Sequence, residues 1–270
     1  EIIKDGQIKA YIPIDPMVEK SPEYDRPWES TQHSNPINSS DFATDKSSLE
    51  VLKELVTCPD LASRRWIWEQ FDHLVMNNTV VRPGGDAAVI RVLGTNKALA
   101  MTVDCTPRYC LAAPEIGGAQ AVAEAWRNLI ATGAKPLAIT NNMNFGNPER
   151  PKIMGQFVGC IKGMRDACLK LDFPVVSGNV SLYNETDGKA IMPTPVIGGI
   201  GLLENASDHI TIDLKGADET IVSIGMLTGW LGQSLYLREL FGQETGAPPP
   251  INLDQEKLNG DFILRMIEEK

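Results

Sequence analysis

The stretch PKIMGQFVGCIKGMRDACLKLDFPVVS, residues 151–177, predicts a long helix that leads directly into a buried strand. Apolar residues recur every three or four positions along Pro151–Leu171, which is typical of an amphipathic helix. The residues that share its apolar face are Ile153, Phe157, Ile161, Met164 and Cys168. Phe173–Ser177 is a short apolar run of strand length. A helix followed by a buried strand indicates an α/β layer.

The segments on either side of this stretch contain similar elements. Two helices are predicted to precede the sheet, one from near Ser47 to Pro59 and a shorter one over Ala62–Phe71. The other predicted elements are strands at Ala87–Leu93, Lys97–Val103, Pro136–Thr140 and Thr194–Leu203 and a helix at Gly117–Thr132. We therefore expect a mixed α/β sheet with helices packed on one of its faces.

The two ends of the chain differ from this central part. Residues 1–15 alternate as a strand does, and residues 16–46 are rich in Pro, Ser, Asp and Asn, which indicates a linker. A boundary is expected near residues 204–218. The elements predicted after it are a strand at Thr220–Gly225, a helix at Leu231–Leu240, a loop at Gly242–Pro250 and a helix from about Asp254. Because the chain opens on Glu1 in the middle of a pattern, we expect it to be part of a longer protein.

Charge and cysteine content argue against several kinds of protein. The 270 residues include 35 acidic and 25 basic ones, so binding to nucleic acid or to an anionic membrane is not expected. A small phosphorylated ligand is compatible with this charge, because backbone N–H groups and a metal can bind phosphate. Five cysteines without a Cys-x-x-Cys pair indicate reduced thiols and a cytoplasmic protein. The sequence has no signal peptide and no membrane-length apolar run.

Common catalytic motifs are absent from the sequence. It has no GxxxxGK[ST] phosphate loop, no HExxH and no GxSxG. The glycines of Gly198–Gly201 lie within a predicted strand, and we interpret them as close-packing positions rather than a nucleotide loop. The segments whose residues suit a phosphate or a metal are Pro83–Val89, Thr140–Pro148 and Val176–Glu185.

Each of these three segments can be interpreted as a ligand loop or as a plain turn, and the residues alone leave both open. In the first, Asp86 offers a hard oxygen to a cation, but an Asp-capped hairpin turn fits as well. The other two follow predicted strands, where ligand loops of α/β sheets usually lie. In the third, Gly178 lets a phosphate approach the backbone and the amide oxygen of Asn179 suits Mg²⁺. The hydroxyl of Ser181 can bond a phosphate or a hydroxyl of a second substrate.

Four motifs, in this order and spacing, resemble the second half of the small PurL-type formylglycinamide ribonucleotide amidotransferases, which are phosphoribosylformylglycinamidine synthases. The motifs are PGGDAAV at 83–89, GGAQAVAEA at 117–125, NFGNP at 144–148 and SGNVSLYNE at 177–185. The last motif is the most specific of the four. A further run, LTGWLGQS at 227–234, resembles the start of the last domain of this family.

The resemblance implies a fold like that of aminoimidazole ribonucleotide synthetase, called PurM-like, in which two halves pair their sheets as an internal pseudo-dimer. It implies that residues 1–27 are the tail of a preceding PurM-like domain and that residues 28–46 are a linker. Residues 47–204 would then be an ATP-binding domain, and residues 205–270 the start of a second α/β domain.

The same resemblance implies a reaction and the residues that serve it. Formylglycinamide ribonucleotide, ATP and ammonia from glutamine would give formylglycinamidine ribonucleotide, ADP and phosphate, with Mg²⁺ as the counterion. The implied roles are ATP contacts at Asn141 and Gly178, a Mg²⁺ ligand at Asn179 and a substrate contact at Ser181. Asp86 and Asp104 are weaker candidates, for an auxiliary or vestigial nucleotide site. Many relatives carry Asp at position 141, and because an amide lacks the charge, a metal role is not carried to Asn141.

The resemblance also implies partners. These are a glutaminase subunit (PurQ), a small bridging subunit (PurS) and the first half of the same protein, which carries the catalytic His of the family. We therefore expect no catalytic residue in this chain and no turnover by the 270 residues alone. Two alternatives remain, another ATP-dependent enzyme of the PurM superfamily and a non-catalytic half that only completes the sheet pairing.

Overall fold

A small antiparallel hairpin opens the chain in the computed structural model, which describes residues 1–225 and 228–269. Its strands are β1 (Ile2–Lys4) and β2 (Gln7–Ala10), and helix α1 (Ile14–Glu19) follows. The strand prediction for this region is confirmed for the hairpin, whereas α1 was not predicted. The apolar side chains of the hairpin are exposed.

Two more short α-helices lie between α1 and the central sheet. Helix α2 spans Ser48–Val56, and a capping box between Ser47 and Glu50 begins it, so the predicted start is confirmed. Helix α3 spans only Arg65–Trp68, and the longer helix predicted over Ala62–Phe71 is wrong. Its apolar side chains stay largely exposed, so packing does not stabilise further turns.

A six-stranded mixed sheet forms the centre of the described structure. The strands after α3 are β3 (Thr79–Val81), β4 (Ala88–Arg91), β5 (Ala98–Asp104), β6 (Lys135–Asn144), β7 (Val175–Ser181), β8 (Glu185–Thr186), β9 (Lys189–Ala190) and β10 (Thr194–Leu203). The order across the sheet is β3-β4-β5-β10-β6-β7, and β8 and β9 form a separate hairpin. Among the six described strands of this sheet, only β6 and β7 pair in parallel. The prediction of a mixed sheet is confirmed.

Three helices cover one face of this sheet, namely α4 (Pro107–Ala112), α5 (Pro114–Ala131) and α6 (Pro151–Leu171). The bounds predicted for α6 are confirmed, whereas α5 begins earlier than predicted because proline is favoured in a first helical turn. Helices α5 and α6 pack closely, since a Cβ atom on Gly163 of α6 would collide with the backbone of α5. Across the layer, a Cβ on Gly199 of β10 would press against Leu129, so the close-packing interpretation of this glycine is confirmed.

The two faces of the sheet differ in burial. On β5, Ala98 and Ala100 are fully buried beneath the helices. The residues that alternate with them point the other way, and Val103 is 73% exposed. Ile200 of β10 is exposed on the same side. The sheet therefore has one face in the hydrophobic core and one open face that carries apolar side chains.

Two more helices complete the chain, α7 (Leu235–Phe241) and α8 (Leu253–Glu268). The strand predicted at Thr220–Gly225 is wrong, because this segment is irregular and its apolar residues are mostly exposed. The helix predicted from Leu231 begins later, where the hydroxyl of Ser234 accepts a hydrogen bond from the backbone of the first turn.

Helix α8 packs on α5, where the Trp126 ring lies directly over Gly260. Leu227 of the LTGWLGQS run lies outside the described residues, and the predicted domain limits stay predictions. None of the described helices has the length and apolar composition needed to cross a membrane.

Candidate functional site

The parallel pairing of β6 and β7 brings the predicted site residues together. Asn141 lies opposite Gly178, and Asn142 lies opposite Asn179. Two positions further along, Ser181 lies opposite Asn144. Positions that are about forty residues apart in the chain are therefore neighbours at one end of the sheet.

These residues lie within the strands, which corrects the prediction that they form loops after the strands. Strand β6 continues to Asn144 rather than ending at Thr140, and β7 continues to Ser181 rather than Ser177. The apolar runs end at the predicted points, but the polar residues beyond them still pair backbone N–H and C=O groups with the neighbouring strand. Apolar patterning locates the buried part of a strand and misses its polar end.

The site is divided between the two faces of the strands. Asn141 shares a face with Ile139 and Met143, which are buried beneath the helices. A Cβ atom at Gly178 would collide with Oδ1 of Asn141, so these two residues face the same side. Only glycine at position 178 leaves the Asn141 amide in place.

The open face carries Asn142, Asn179 and Ser181. The Nδ2 of Asn179 donates a hydrogen bond of 3.2 Å to Oδ1 of Asn142. This bond leaves Oδ1 of Asn179 available to a ligand. A second polar pair lies beside it, because the hydroxyls of Thr140 and Ser177 are 3.0 Å apart. Asn142 and Thr140 lie in the predicted segment Thr140–Pro148 but had no predicted role of their own. The polar runs of equal length at the ends of β6 and β7 were the signal that could have identified them.

The polar ends of β6 and β7, residues 140–144 and 177–181, form a strip that carries no charged side chain. Its polar side chains are amides and hydroxyls, and among the described residues no group of three or more His, Cys, Asp or Glu is placed to hold a metal ion. The Asn179 oxygen is chemically suited to Mg²⁺, which prefers oxygen ligands. Residues 141–144 and 177–181 would therefore fit a magnesium site only if charged ligands were added to their neutral oxygens.

Asp104 lies at the same end of the sheet but is fully engaged within the protein. It pairs in register with Ile197, which in turn pairs with Asn141 on the other side. Thr102 donates a hydrogen bond of 2.9 Å to Oδ2 of Asp104, and Asn128 donates one of 2.8 Å to Oδ1. Burial raises the pKa of Asp104 to about 6. Both carboxylate oxygens have protein partners, so this arrangement favours a structural role.

Asp86 belongs to a different part of the molecule. The Pro83–Ala87 loop lines a cavity of about 750 Å³ together with Trp68, Thr132 and Asp213. None of the candidate residues on β6 and β7 lines this cavity. This cavity and the predicted site are therefore separate, and the site lies along the ends of β6 and β7 at the edge of the sheet.

The cysteines provide no activated thiol. Cys110 and Cys160 are fully buried between the helices. Burial raises the pKa of Cys105 to about 12 and that of Cys168 to about 11. The Cys105 and Cys168 thiols therefore stay protonated near neutral pH and are poor nucleophiles.

Comparison with known proteins identifies relatives of the chain. Residues 84–203 match the family model described as AIR synthase related protein, N-terminal domain. A phosphoribosylformylglycinamidine synthase subunit PurL from Rhodospirillum rubrum is 60% identical over 267 residues, which is 97% of this chain and 36% of the relative. The PurL subunit from Parvibaculum lavamentivorans is 56% identical over 264 residues, again 97% of this chain and 36% of the relative. The chain thus spans about a third of the length of these relatives.

Solved structures agree with this result. Thermotoga maritima PurL complexed with FGAR superposes with a TM-score of 0.54 and 28% identity, over 76% of this chain and 29% of that one. The same protein complexed with ADP gives a TM-score of 0.53 and 30% identity, over 70% of this chain and 29% of that one. The complex with ATP covers 99% of this chain and 37% of that one, with a TM-score of 0.62 and 23% identity, and supports the fold alone.

Proposed function

The chain belongs to the family of PurL subunits of phosphoribosylformylglycinamidine synthase, and we propose that it forms one wall of the ATP- and substrate-binding site of that enzyme. The observation that carries the proposal is the register of β6 and β7, which pairs Asn141 with Gly178 and places Asn179 one position and Ser181 three positions further along β7. Four residues with suitable chemistry therefore lie at the end of two parallel strands, two on each face, where ligands of α/β sheets bind.

The proposed reaction is the ATP-dependent conversion of formylglycinamide ribonucleotide to formylglycinamidine ribonucleotide. ATP phosphorylates the amide oxygen of the substrate, and ammonia released from glutamine displaces that phosphate. The similarity to a Thermotoga maritima protein complexed with ADP and with FGAR supports an adenine nucleotide and formylglycinamide ribonucleotide as ligands.

The residues on the helix-covered face are suited to hold the phosphates of ATP. The amide of Asn141 makes no side-chain hydrogen bond among the described residues, so its donor is available. Gly178 has no side chain to block a phosphate from the backbone, and β7 is the last strand of the sheet, with one row of backbone groups unpaired. An amide at position 141 adds no negative charge beside the triphosphate.

The residues on the open face are suited to hold the metal and the second substrate. Asn179 would contribute its Oδ1 to Mg²⁺, because its Nδ2 is engaged by Asn142. When bound, the ion neutralises charge on the transferred phosphate. The hydroxyl of Ser181 would form a hydrogen bond with formylglycinamide ribonucleotide, which arrives from the uncovered side of the sheet.

The site needs a partner to be complete. Val103 and Ile200 expose apolar surface on the open face, and the strip contains no carboxylate. A paired half of the same protein would cover this face and supply the catalytic His and the remaining Mg²⁺ ligands. A glutaminase subunit (PurQ) and a bridging subunit (PurS) would supply ammonia. The free cysteines fit a cytoplasmic location, and the 270 residues alone would turn over no substrate.

Calorimetry with ATP and Mg²⁺ tests the proposal in a complete PurL subunit that carries this sequence. Asn179→Ala removes the proposed metal oxygen and is expected to weaken Mg²⁺-dependent ATP binding about tenfold, which corresponds to about 1.4 kcal/mol. The matched control is Asn96→Ala, because Asn96 is an exposed amide in the β4–β5 turn, remote from the strip. Equal binding by both variants would contradict the proposal.

The alternative function is a half that only completes the sheet pairing. The exposed apolar face favours it, because such a face is suited to association. In that case Asn179→Ala would leave ATP binding and turnover unchanged, whereas Val103→Asp would disrupt the paired sheets. The two variants together separate a ligand site from a scaffold.

A further inference from the structure

The segment after β7 folds back onto the site. Tyr183 adopts a left-handed backbone conformation with φ of 61°, which turns the chain sharply. The backbone N–H of Tyr183 then donates to the Gly146 carbonyl at 3.0 Å, and that of Asn184 donates to the Phe145 carbonyl at 3.1 Å. The end of β7 is thereby joined to the loop that follows β6.

This turn places the Asn184 amide against Ser181. The Nδ2 of Asn184 lies 3.1 Å from the Ser181 hydroxyl oxygen, 2.9 Å from the Ser181 carbonyl and 3.1 Å from the Phe145 carbonyl. In return, the Ser181 hydroxyl lies 3.3 Å from Oδ1 of Asn184. No other side chain among the described residues hydrogen bonds to this hydroxyl.

The amide itself is held by its surroundings. Glu185 accepts a hydrogen bond of 2.9 Å from the backbone of Asn147 and forms an ion pair with Arg150. A Cβ atom at Gly146 would collide with Ala190 of β9, so the β8–β9 hairpin packs tightly on this loop. The loop around Asn184 is therefore tightly packed, and the bonds from its Nδ2 to the Ser181 and Phe145 carbonyls set the orientation of its amide.

We propose that Asn184 is a positioning residue that sets the direction of the Ser181 hydroxyl toward formylglycinamide ribonucleotide. The inference rests on the proposed substrate contact of Ser181. Asn184 itself does not touch the substrate. Because the two hydrogens of the Asn184 amide are taken by the Ser181 and Phe145 carbonyls, its Oδ1 accepts the Ser181 proton. The lone pairs of the Ser181 hydroxyl oxygen are then directed outward, where they can accept a hydrogen bond from the substrate.

A double-mutant cycle in a complete PurL subunit tests this inference. Ser181→Ala is expected to raise the KM for formylglycinamide ribonucleotide about tenfold, and Asn184→Ala about fivefold, with the KM for ATP unchanged in both. In the double variant, loss of Asn184 should add nothing to the effect of Ser181→Ala. Tyr183→Phe is the matched control, since it removes a neighbouring hydroxyl and leaves the Asn184 amide in place.

The outcomes distinguish the two ideas. If Ser181→Ala leaves the KM unchanged, the proposed substrate contact fails, and the inference fails with it. If Ser181→Ala raises the KM but Asn184→Ala does not, or the effects multiply, only the inference is overturned. Should Asn184→Ala fail to fold, Asn184→Leu replaces it, with the same expected pattern because its side chain is of similar size and lacks the acceptor. Failure of both to fold would show a role in the fold alone and overturn the inference.

Discussion

The ends of β5 and of β6–β7 lie in one row across the sheet, yet they use their polar residues in different ways. At the end of β5, Asp104 is buried and each carboxylate oxygen accepts a hydrogen bond from the protein. At the end of β6–β7, the amide of Asn141 and the Oδ1 of Asn179 have no such partner among the described residues. A charged residue is thus enclosed in one place, whereas in the other the neutral residues are half-buried (Asn141) or exposed (Asn179) and not engaged by the protein.

This difference shows that charge alone is a poor guide to a ligand site. A buried carboxylate whose oxygens are satisfied belongs to the fold, because exposing it to a ligand would break its hydrogen bonds. Unsatisfied amides at an open strand end retain the capacity to bind. The contrast therefore predicts opposite results for the two ends, with binding changed at β6–β7 and stability changed at β5.

The largest effect is expected from Gly178→Val. A side chain at position 178 would displace the Asn141 amide and occupy the space proposed for phosphate, so ATP binding should weaken about 100-fold. Stability should change by less than about 1 kcal/mol, since Gly178 is exposed and valine is favoured in strands.

Calorimetry with ATP and urea unfolding of the same variant measure these two quantities. Val176→Thr, on the same strand and exposed, is the control. If Gly178→Val lowers the free energy of unfolding but leaves ATP binding unchanged, the proposed difference between a ligand-binding end at β6–β7 and a structural end at β5 is wrong.

A smaller effect, on stability alone, is expected from Asp104→Asn. Burial raises the pKa of Asp104 from 3.8 to about 6. The folded state therefore holds this proton up to higher pH than the unfolded state, and the resulting stability is present below pH 4 and lost as pH rises through 6. Between pH 4 and 7.5, the stability advantage of the parent protein over the Asp104→Asn variant should fall by about 2 kcal/mol.

Urea unfolding of both proteins across this pH range tests the prediction. Parallel curves would mean that Asp104 titrates as an exposed carboxyl does, and its assignment to the fold would be wrong. ATP binding by Asp104→Asn should stay within about twofold of the parent protein at pH 7.5, because the carboxyl is not available to the nucleotide.

The sequence predicted the covered part of the fold well, for a physical reason. Helix α6 has an apolar residue every three or four positions, and its bounds at Pro151 and Leu171 are confirmed. Strand β10 is almost entirely apolar and is confirmed at both ends. Burial imposes a regular pattern of apolar residues on such segments. This pattern can be recognised in the segment's own sequence, without knowing which elements pack against it.

The strands that were predicted wrongly lie in segments that form a strand only when another strand pairs with them. The polar ends of β6 and β7 are strands only because the two pair with each other. Ile221 and Val222 have strand-like composition but no pairing strand among the described residues, and they stay irregular. The positions of Asn141, Gly178, Asn179 and Ser181 came from a family resemblance, and their adjacency required the register. Nothing local in the sequence indicated that Asn184 returns to Ser181.

The smallest effect is expected from Asn141→Asp, which places at β6–β7 the charge that β5 encloses. Asn141 is half-buried beside Gly178, and its amide can bond a phosphate oxygen but adds no charge to a cation site. A carboxylate there would attract Mg²⁺ and repel the phosphates of free ATP. The apparent affinity for Mg²⁺ should therefore rise about fivefold at fixed ATP, while binding of ATP without metal should weaken by a similar factor.

Titration of Mg²⁺ into the ATP complex of both proteins separates these two effects, and Asn96→Asp controls for the added charge at a remote exposed position. An unchanged Mg²⁺ affinity would mean that residue 141 lies beyond the reach of the ion. Asn141 would then contact only the nucleotide, and Mg²⁺ would be held on the open face by Asn179 and the paired half. A rise in affinity would mean that the two faces of the strand pair converge on one metal, and that an unengaged position, unlike Asp104, gains function from a charge.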